Sequence, residues 1–460
     1  MKTFSGGPRL NAGALLFFSA TAAFSQEEPS PVRLSVSGEI ELTFAWRDAA
    51  INEASLWAPG GLAAGSPLRE SDTFVLPDLA VRLDAEGESW KAALEAGNFP
   101  LEFDSFDTRL QNDRLGESRA LDIDLRQAWV EFFDTVRFGL QPFRWDPTGR
   151  GHALFLDPTG AESPWGELPD ATVPPFPASG TSTVPQTRRD GLHPVGLTAR
   201  WEDWRAFALL SGEGGPLSGD ESVCGLAFAP RWGPFRIGAI ATLFAGGSVF
   251  GGHDQEIGTA GLSLGFEEGG LFVTAEGYLQ RGRAGRAGTQ RLKARGAAGR
   301  LTGRYADGFW IQASFVWVGG DERGDDDKEG RFFSYEDNDA TLIVEGNEFG
   351  LDVDSNYRSA QVSTGFEAEV LGLRLQPRAL AAIFAFNEAV PLPPDPPFAI
   401  SGRADDLGTE VDVGLDVPWS ARVTLTAGAA FLIGAEALEE FTARRLNRAD
   451  LFTLGIRARF

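Results

Sequence analysis

The residues that decide the fold are Asp406–Val417, DLGTEVDVGLDV, in which two kinds of side chain alternate without interruption. The even positions hold Asp, Glu and Gly, whereas the odd positions hold Leu, Thr and Val. A period of two places these sets on opposite faces of a β-strand. The same alternation returns over Ala421–Phe431 and over Thr453–Phe460. Three successive strands with one polar and one apolar face predict a sheet whose two sides meet different surroundings.

The last residue of the sequence is Phe460, which lies on the apolar face of the third of these strands. A strand of this kind resembles the closing strand of a bacterial outer-membrane β-barrel, in which a terminal Phe is read by the assembly machinery. The resemblance makes Phe460 the predicted assembly signal. The predicted fold class is all-β, a transmembrane up-and-down antiparallel β-barrel of about eighteen strands, which is an even number within the known range.

The first residues of the chain predict export from the cytoplasm. Residues 1–25 contain Lys2 and Arg9, then an apolar run from Ala12 to Phe18, then small residues. This order is typical of a Sec-type secretory signal peptide with cleavage near Ser25/Gln26. The predicted organisation is therefore a signal peptide over 1–25 and an outer-membrane barrel over 26–460, in the bacterial outer membrane. No stretch approaches the roughly 20 apolar residues of a spanning helix.

The connections between the predicted strands alternate in length. Short turns occur at Glu202-Asp203, Ala306–Gly308 and Pro418-Trp419, and long polar loops separate them. Short turns on one rim and long loops on the other are typical of outer-membrane barrels. Two loops stand out, a Pro-rich loop over 144–190 that either extends outside or folds into the lumen, and an acidic loop over 319–356.

Tryptophans near strand ends predict two interfacial girdles. These are Trp90, Trp201, Trp204, Trp232, Trp310 and Trp419 at short turns, and Trp46, Trp145 and Trp317 at long loops.

The composition excludes several classes of protein. The formal net charge of −24 argues against nucleic-acid binding, and the single cysteine excludes a disulfide framework. The three histidines, His152, His193 and His253, stand in no nucleophile motif, so we expect no enzymatic activity. We expect no cofactor. The expected partners are outer-membrane lipid and lipopolysaccharide, the barrel assembly machinery and a solute.

Several short motifs resemble the alginate-export porin family of outer-membrane barrels. They are RQAWVEF over 126–132, RFGLQPFRW over 137–145, FSYE over 333–336, TLIVEG over 341–346 and LGTEVD over 407–412. The resemblance implies a passive channel for polyuronate or related anionic, carbohydrate-like solutes. The pore of that family is strongly cationic, whereas this chain is acidic and sets acids beside its arginines. Two alternatives remain, a general porin that is non-selective or prefers cations, and a surface structural or adhesive barrel without transport.

The strand pattern supplies the residues of the predicted solute path. Positions assigned to the polar face include Arg126, Arg137, Arg291, Lys293, Arg295, Arg374, Arg378, Arg422, Arg457, Glu410 and Asp412. Arginine forks match carboxylates, so a surplus of arginine at a constriction would select anions. The opposite signs alternate by strand near the C-terminus, so the same residues could instead pair across strands and stabilise the wall.

One acidic cluster is a weaker candidate for a cation site. Asp321, Asp325 and Asp327 lie close together in the acidic loop, and clustered carboxylates can bind Ca²⁺. Their spacing does not fit an EF-hand, and a solvated acidic loop explains them better. We therefore predict no bound metal ion and keep this loop only as a weak candidate for Ca²⁺.

Overall fold

A computed structural model of the chain describes most of the predicted strands. The residues that it describes are 32–48, 71–98, 123–141, 145, 195–211, 221–246, 255–287, 290–320, 328–330, 332, 341, 343–345, 356–387, 406–435 and 448–460. The predicted signal peptide and nearly all of the Pro-rich loop lie outside these residues. Within them, no helix is long and apolar enough to cross a membrane.

The described residues form one sheet of 22 strand segments. In the first half these are β1 (Arg33–Asp48), β2 (Ser71–Glu86), β3 (Trp90–Asn98), β4 (Ile123–Phe132), β5 (Val136–Leu140), β6 (Val195–Trp201), β7 (Trp204–Ser211), β8 (Glu221–Phe228), β9 (Arg231–Trp232), β10 (Phe235–Gly246) and β11 (Gln255–Glu268). The second half contains β12 (Leu271–Ala287), β13 (Gln290–Ala294), β14 (Ala297–Asp307), β15 (Phe309–Val318), β16 (Lys328–Glu329), β17 (Tyr357–Phe366), β18 (Ala368–Val370), β19 (Leu373–Phe386), β20 (Asp406–Pro418), β21 (Val423–Ile433) and β22 (Arg448–Arg459).

The sheet closes into an antiparallel barrel of 18 strands, as the sequence predicts. Three of these strands are each interrupted once, giving the segment pairs β8/β9, β13/β14 and β17/β18. The two-residue segment β16 pairs in parallel with β13 and is not counted among the 18 strands. Each strand pairs with the next one along the chain, and β1 pairs with both β2 and β22. At this seam Gly38 and Phe460 exchange two backbone hydrogen bonds of 3.0 Å.

The two faces of the barrel wall have opposite polarity. On β15 the side chains of Ile311 and Phe315 point outward and are exposed, whereas Gln312 and Ser314 point inward and are buried. β17 alternates in the same way along its whole length. The alternation predicted for β20, β21 and β22 is confirmed, with Glu410 and Asp412 buried inside and Val411 and Val413 exposed outside. A polar inner face and an apolar outer face therefore follow from period two.

One residue of the deciding stretch departs from the simple alternation. The pairing between β19 and β20 shifts at Gly408, which leaves Leu407 as an extra residue opposite the junction of Phe384 and Ala385. Gly408 has a φ of 104°, a backbone conformation that glycine adopts readily. The bulge turns Leu407 inward, where it is completely buried. The sequence pattern placed Leu407 on the outer apolar face, and this assignment is wrong.

The tryptophans divide into two groups. Trp201, Trp204, Trp232 and Trp419 are exposed at short turns, in the position expected of an interfacial girdle. Trp310, which the sequence analysis placed in the same girdle, is buried on the inner face instead. Its ring lies 5.2 Å from the Arg304 guanidinium, and its indole occupies the space above Gly365. Its position follows from the parity of β15, since Gln312 shares its face.

The inner face also carries apolar residues near the long-loop end. Leu209, Val223, Phe244 and Ile257 lie opposite one another on β7, β8, β10 and β11, and all four are buried. A second apolar strip follows β19, where Leu380, Ala382, Phe384 and Phe386 point inward. These strips need apolar cover inside the barrel, and the cover of the β19 strip forms part of the site described next.

Candidate functional site

The lumen wall near the short-turn end carries a group of ion pairs. Arg378 on β19 contacts Asp416 on β20 at 2.5 Å, and Arg457 on β22 contacts Glu41 on β1 at 2.7 Å. Arg457 also lies 3.3 Å from Glu39. All of these residues point inward, so the sequence-based assignment of Arg378 and Arg457 to the polar face agrees with their placement. Each of these two arginines therefore has an acidic partner on a neighbouring strand of the wall.

A glycine in β20 explains how Arg378 reaches its partner. A side chain at Gly414, which faces Arg378 across the strand pair, would place its Cβ atom 2.3 Å from the Arg378 Nε atom. The arginine therefore lies flat across Gly414 and extends along β20 to Asp416. A larger residue at this position would displace the guanidinium from the wall.

Two other predicted arginines are also paired. Arg137 lies 2.9 Å from Glu131 on the adjacent strand β4, and its guanidinium stacks 4.1 Å from the centroid of the Trp129 ring. Arg374 lies 3.2 Å from Glu367 at the short-turn rim, where both side chains are largely exposed. The arrangement fits the cross-strand pairing that the sequence analysis held open beside anion selection.

The remaining predicted residues occupy different places. The side chains of Lys293 and Arg295 are exposed on the strand face opposite to buried Ala294 and Arg300, which is not the inner face predicted for them. The alternation continues through the short interruption between β13 and β14, which accounts for this difference. Arg422 is exposed at the turn before β21. The side chains of Arg126 and Arg291, together with Asp321, Asp325 and Asp327, lie outside the described residues.

A segment of the acidic loop lies against the inner wall. The backbone amides of Ile343 and Val344 donate to Glu410, at 2.6 Å to Oε1 and 2.9 Å to Oε2. The Glu410 carboxyl group also interacts with the side chains of Thr341 and Asp412. Thr341 in turn accepts a hydrogen bond of 3.2 Å from the Glu345 amide. One inward carboxylate thus holds the segment at two consecutive backbone positions. We call Thr341 and Ile343–Glu345 the docked segment.

The far end of the docked segment binds β17. The Tyr357 hydroxyl donates to Glu345 Oε1 at 3.0 Å, and the Gln361 amide donates to both carboxyl oxygens at 3.1 and 3.0 Å. Glu345 is fully buried, and this burial raises its pKa to about 8. The neighbouring Glu410 raises the pKa further, whereas Tyr357, Arg300 and Gln361 act in the opposite direction. At neutral pH the carboxyl group is therefore largely protonated.

Apolar contact completes the docking. Ile343 and Val344 are buried in the same hydrophobic cluster as Leu380, Ala382 and Phe384 of β19. The segment therefore covers the apolar strip on the inner face of β19, between its polar anchors on β17 and β20. Packing and hydrogen bonds act together here, and the covered wall loses its contact with the lumen.

Glu410 was predicted from the sequence as a polar-face residue, but its partners were not. Glu345 and Gln361 were missed as well. TLIVEG over 341–346 was read only as part of a family motif, although an apolar triplet before a Glu inside an acidic loop could have indicated a buried segment. Among the described residues, no three His, Cys, Asp or Glu side chains are grouped so that they could hold a metal ion.

Comparison with known proteins gives structural similarity only. No protein-family model matches the chain, and no curated protein matches it. The crystal structure of Pseudomonas aeruginosa OpdO is 14% identical, with a TM-score of 0.47 over 93% of this chain and 97% of that chain. P. aeruginosa OccK8 (OprE) is 13% identical, with a TM-score of 0.47 over 93% and 98% of the two chains.

A third similar structure is the trimer form of in-vitro folded OmpT, an outer membrane protein of Vibrio cholerae. It is 10% identical, with a TM-score of 0.40 over 94% of this chain and 100% of that chain. The resemblance to alginate-export porins stays a prediction. With identities and TM-scores of this size, function has to be inferred from the side chains of the barrel itself.

Proposed function

We propose that the chain is a bacterial outer-membrane porin, a passive channel for small hydrophilic solutes. The observation that carries this proposal is the inverted polarity of the closed wall. Ile311 and Phe315 expose 44% and 49% of their surface on the outer face of β15. Gln312 and Ser314, which lie between these two residues in the strand, each expose only 8%. In a water-soluble protein we would expect the polar residues to be exposed on the outer face and the apolar residues to be buried.

The outer surface has the character of a membrane-spanning belt. Large exposed apolar residues occur on the outer face of strands all around the barrel, for example Leu42, Leu264, Leu301, Ile383 and Leu454. Soluble monomers rarely expose contiguous apolar patches beyond a few hundred Å². A closed barrel leaves no unpaired strand edge, which is the condition for crossing a bilayer with strands. Outer-membrane lipid and lipopolysaccharide are therefore the proposed partners of this belt.

The inner face favours an uncharged or weakly charged polar solute. Its buried polar residues are mostly hydroxyl and amide side chains: Thr43, Gln127, Gln141, Thr242, Thr259, Ser263, Thr274, Gln280, Thr302, Gln312, Ser314, Ser359, Gln361, Ser363, Thr426 and Thr453. A wall of such groups carries little charge, which suits a neutral, carbohydrate-like solute. Since Arg378 and Arg457 are paired with carboxylates, they contribute less net charge to the path than free arginines would.

The finer proposal is a preference for anionic carbohydrates related to polyuronates. The sequence resemblance supports it. Reversal potentials in a salt gradient test this step separately. An anion-selective potential supports it, and a cation-selective potential that is unchanged by Arg374→Ala with Arg378→Ala leaves a general porin.

Conductance of the purified, folded chain in planar lipid bilayers tests the channel itself. We expect discrete conductance steps, and swelling of proteoliposomes in a neutral disaccharide at least as fast as in a cationic amino sugar. Cell fractionation should place the protein in the outer membrane. A folded and inserted barrel that neither conducts ions nor supports swelling would contradict the proposal and favour a structural surface barrel.

A further inference from the structure

We infer that the docked segment is a releasable constriction of the lumen, which Glu410 holds against the wall and which leaves the wall as the pH rises. The inference rests on the proposed channel function and adds regulation to the same lumen. Its structural basis is the contact between an inward carboxylate and the backbone amides of Ile343 and Val344. Any chain segment held inside the barrel wall reduces the cross-section that solutes can use.

Glu410 acts here as a positioning residue. Each carboxyl oxygen of Glu410 accepts one backbone N–H group of the docked segment, so neither amide is buried without an acceptor. The distances of 2.6 and 2.9 Å place one oxygen on each amide, so the two bonds fix the orientation of the segment as well as its position. An alanine at this position would leave both amides buried without an acceptor, and such amides favour release into water.

Glu345 makes the docking depend on pH. The groups that face it are the Tyr357 hydroxyl and Gln361 from β17, Arg300 from β14 and Glu410 from β20, with Asp412 beside Glu410. Arg300 therefore faces Glu345 and its neighbour Glu410, and Arg378 of β19 interacts electrostatically with Asp412. When the segment is docked, the pKa of Glu345 is about 8, whereas in water it has its ordinary value of 4.5.

The sign of the pH dependence follows from these two values. Between pH 4.5 and about 8 the docked state binds one proton more than the released state, so docking is strongest at the acidic end of this window. Each rise of one pH unit within the window shifts the ratio of docked to released segment by up to about tenfold towards release. Above pH 8 this contribution stays constant, because Glu345 is charged in both states.

Conductance of the full-length folded protein between pH 5 and pH 9 provides the first test. We expect the wild-type channel to gain a wider conductance level as the pH rises. Glu345→Gln should hold the narrow level across the whole range, because it cannot ionise and its Oε1 atom can still accept hydrogen bonds from Tyr357 and Gln361. Glu410→Ala should show the wide level at every pH, and Glu410→Gln should fall between it and the wild type. Glu268→Gln, which changes an exposed carboxyl at the end of β11, serves as the matched control.

A chemical readout that needs no conductance separates this inference from the channel proposal. In a Cys224→Ser background, Val344→Cys places the one thiol of the chain at a fully buried position. Maleimide labelling is measured at each pH relative to the same protein unfolded in denaturant. We expect protection at pH 5 that is lost towards pH 9, and loss of protection at all pH values when Glu410→Ala is added. Heat-modifiable migration on gels checks that each variant is folded.

The outcomes distinguish the two proposals. Protection that stays complete in the Glu410→Ala variant, or a Glu345→Gln profile identical to that of the wild type, would overturn the inference. Labelling that responds as expected in a barrel that does not conduct would support the docked segment and contradict the porin. A pH response that Glu268→Gln also abolishes would locate the titrating group elsewhere and would likewise overturn the inference.

Discussion

The two ends of the lumen wall use the same acidic residue types for different purposes. Near the short turns, Asp416 and Glu41 contact arginines on neighbouring strands. Near the long loops, Glu410 binds two backbone amides, and Glu345 binds a hydroxyl and an amide. Glu410 and Asp416 lie on the same face of one strand, so face and residue type alone do not decide the partner. The partner depends on which other part of the chain lies inside the barrel at that level.

The difference has an energetic side as well. An ion pair within the wall is complete once the strands have paired, and it adds rigidity without involving the loops. The hydrogen bonds of Glu410 to the two backbone amides, and those of Glu345 to β17, exist only while the docked segment is in place. We therefore expect the ion-paired end to determine the stability of the barrel and the docked end to determine how the lumen responds to conditions.

The largest effect that we expect at the ion-paired end comes from Arg457→Ala. Glu41 exposes only 2% of its side chain, so removal of Arg457 takes away the cation that balances a buried carboxylate. Breaking a buried ion pair in this way costs about 3–5 kcal/mol of unfolding free energy. Denaturant unfolding of the reconstituted barrel, followed by tryptophan fluorescence, measures the loss. Arg457→Ala combined with Glu41→Gln should recover a large part of it, and a single variant that unfolds like the wild type would contradict the role of the pair.

Much of the ion-paired end could be predicted from the sequence, because it depends on strand order and period two. Arg378 and Arg457 at this end, and Glu410 and Asp412 further along the wall, all have the orientation that alternation assigns to them. The docked end could not be predicted in this way. The amides that bind Glu410 lie 66 and 67 residues earlier in the chain, in a loop without periodicity. The inward turn of Leu407 depends on a bulge, which a single glycine permits but does not require.

The next effect concerns β20 between the two ends, where Val413 faces outward. Val413→Arg would place a charge against lipid and should cost about 2–4 kcal/mol if the position lies near the bilayer midplane. Asp412→Asn on the opposite face is the matched control and should fold normally, since its amide can still form hydrogen bonds in the lumen. Comparison of folded yields on gels measures both variants. Equal yields would show that the two faces of β20 are assigned wrongly.

A smaller effect should follow from Gly38→Val at the seam between β1 and β22. A Cβ atom on Gly38 would lie 2.2 Å from the Phe460 ring, which covers this glycine. Displacing the ring without removing the backbone pairing should cost about 1–3 kcal/mol, the usual range for overpacking. Ser37→Ala, at the neighbouring exposed position, is the control. If the seam supports the assembly role predicted for Phe460, Gly38→Val should also slow the appearance of heat-modifiable barrel. Unchanged stability and unchanged folding rate would contradict the contact.

The smallest effect on stability is expected for Arg374→Ala. This variant should change the ion selectivity of the channel while leaving the free energy of unfolding almost unchanged. Arg374 and Glu367 expose 63% and 38% of their side chains, so water screens their attraction, and the pair contributes about 0.2–1 kcal/mol. The exposed charge can still act on passing ions at the short-turn rim. Its field extends about 10 Å at 0.1 M salt and about 3 Å at 1 M salt. Reversal potentials should therefore move towards cation selectivity in Arg374→Ala at 0.1 M and return to the wild-type value at 1 M. Arg374→Lys keeps the charge and should behave as the wild type at both concentrations. A shift that persists at 1 M, or that Arg374→Lys also produces, would mean that the change acts through the structure of the wall and not through the charge at its rim.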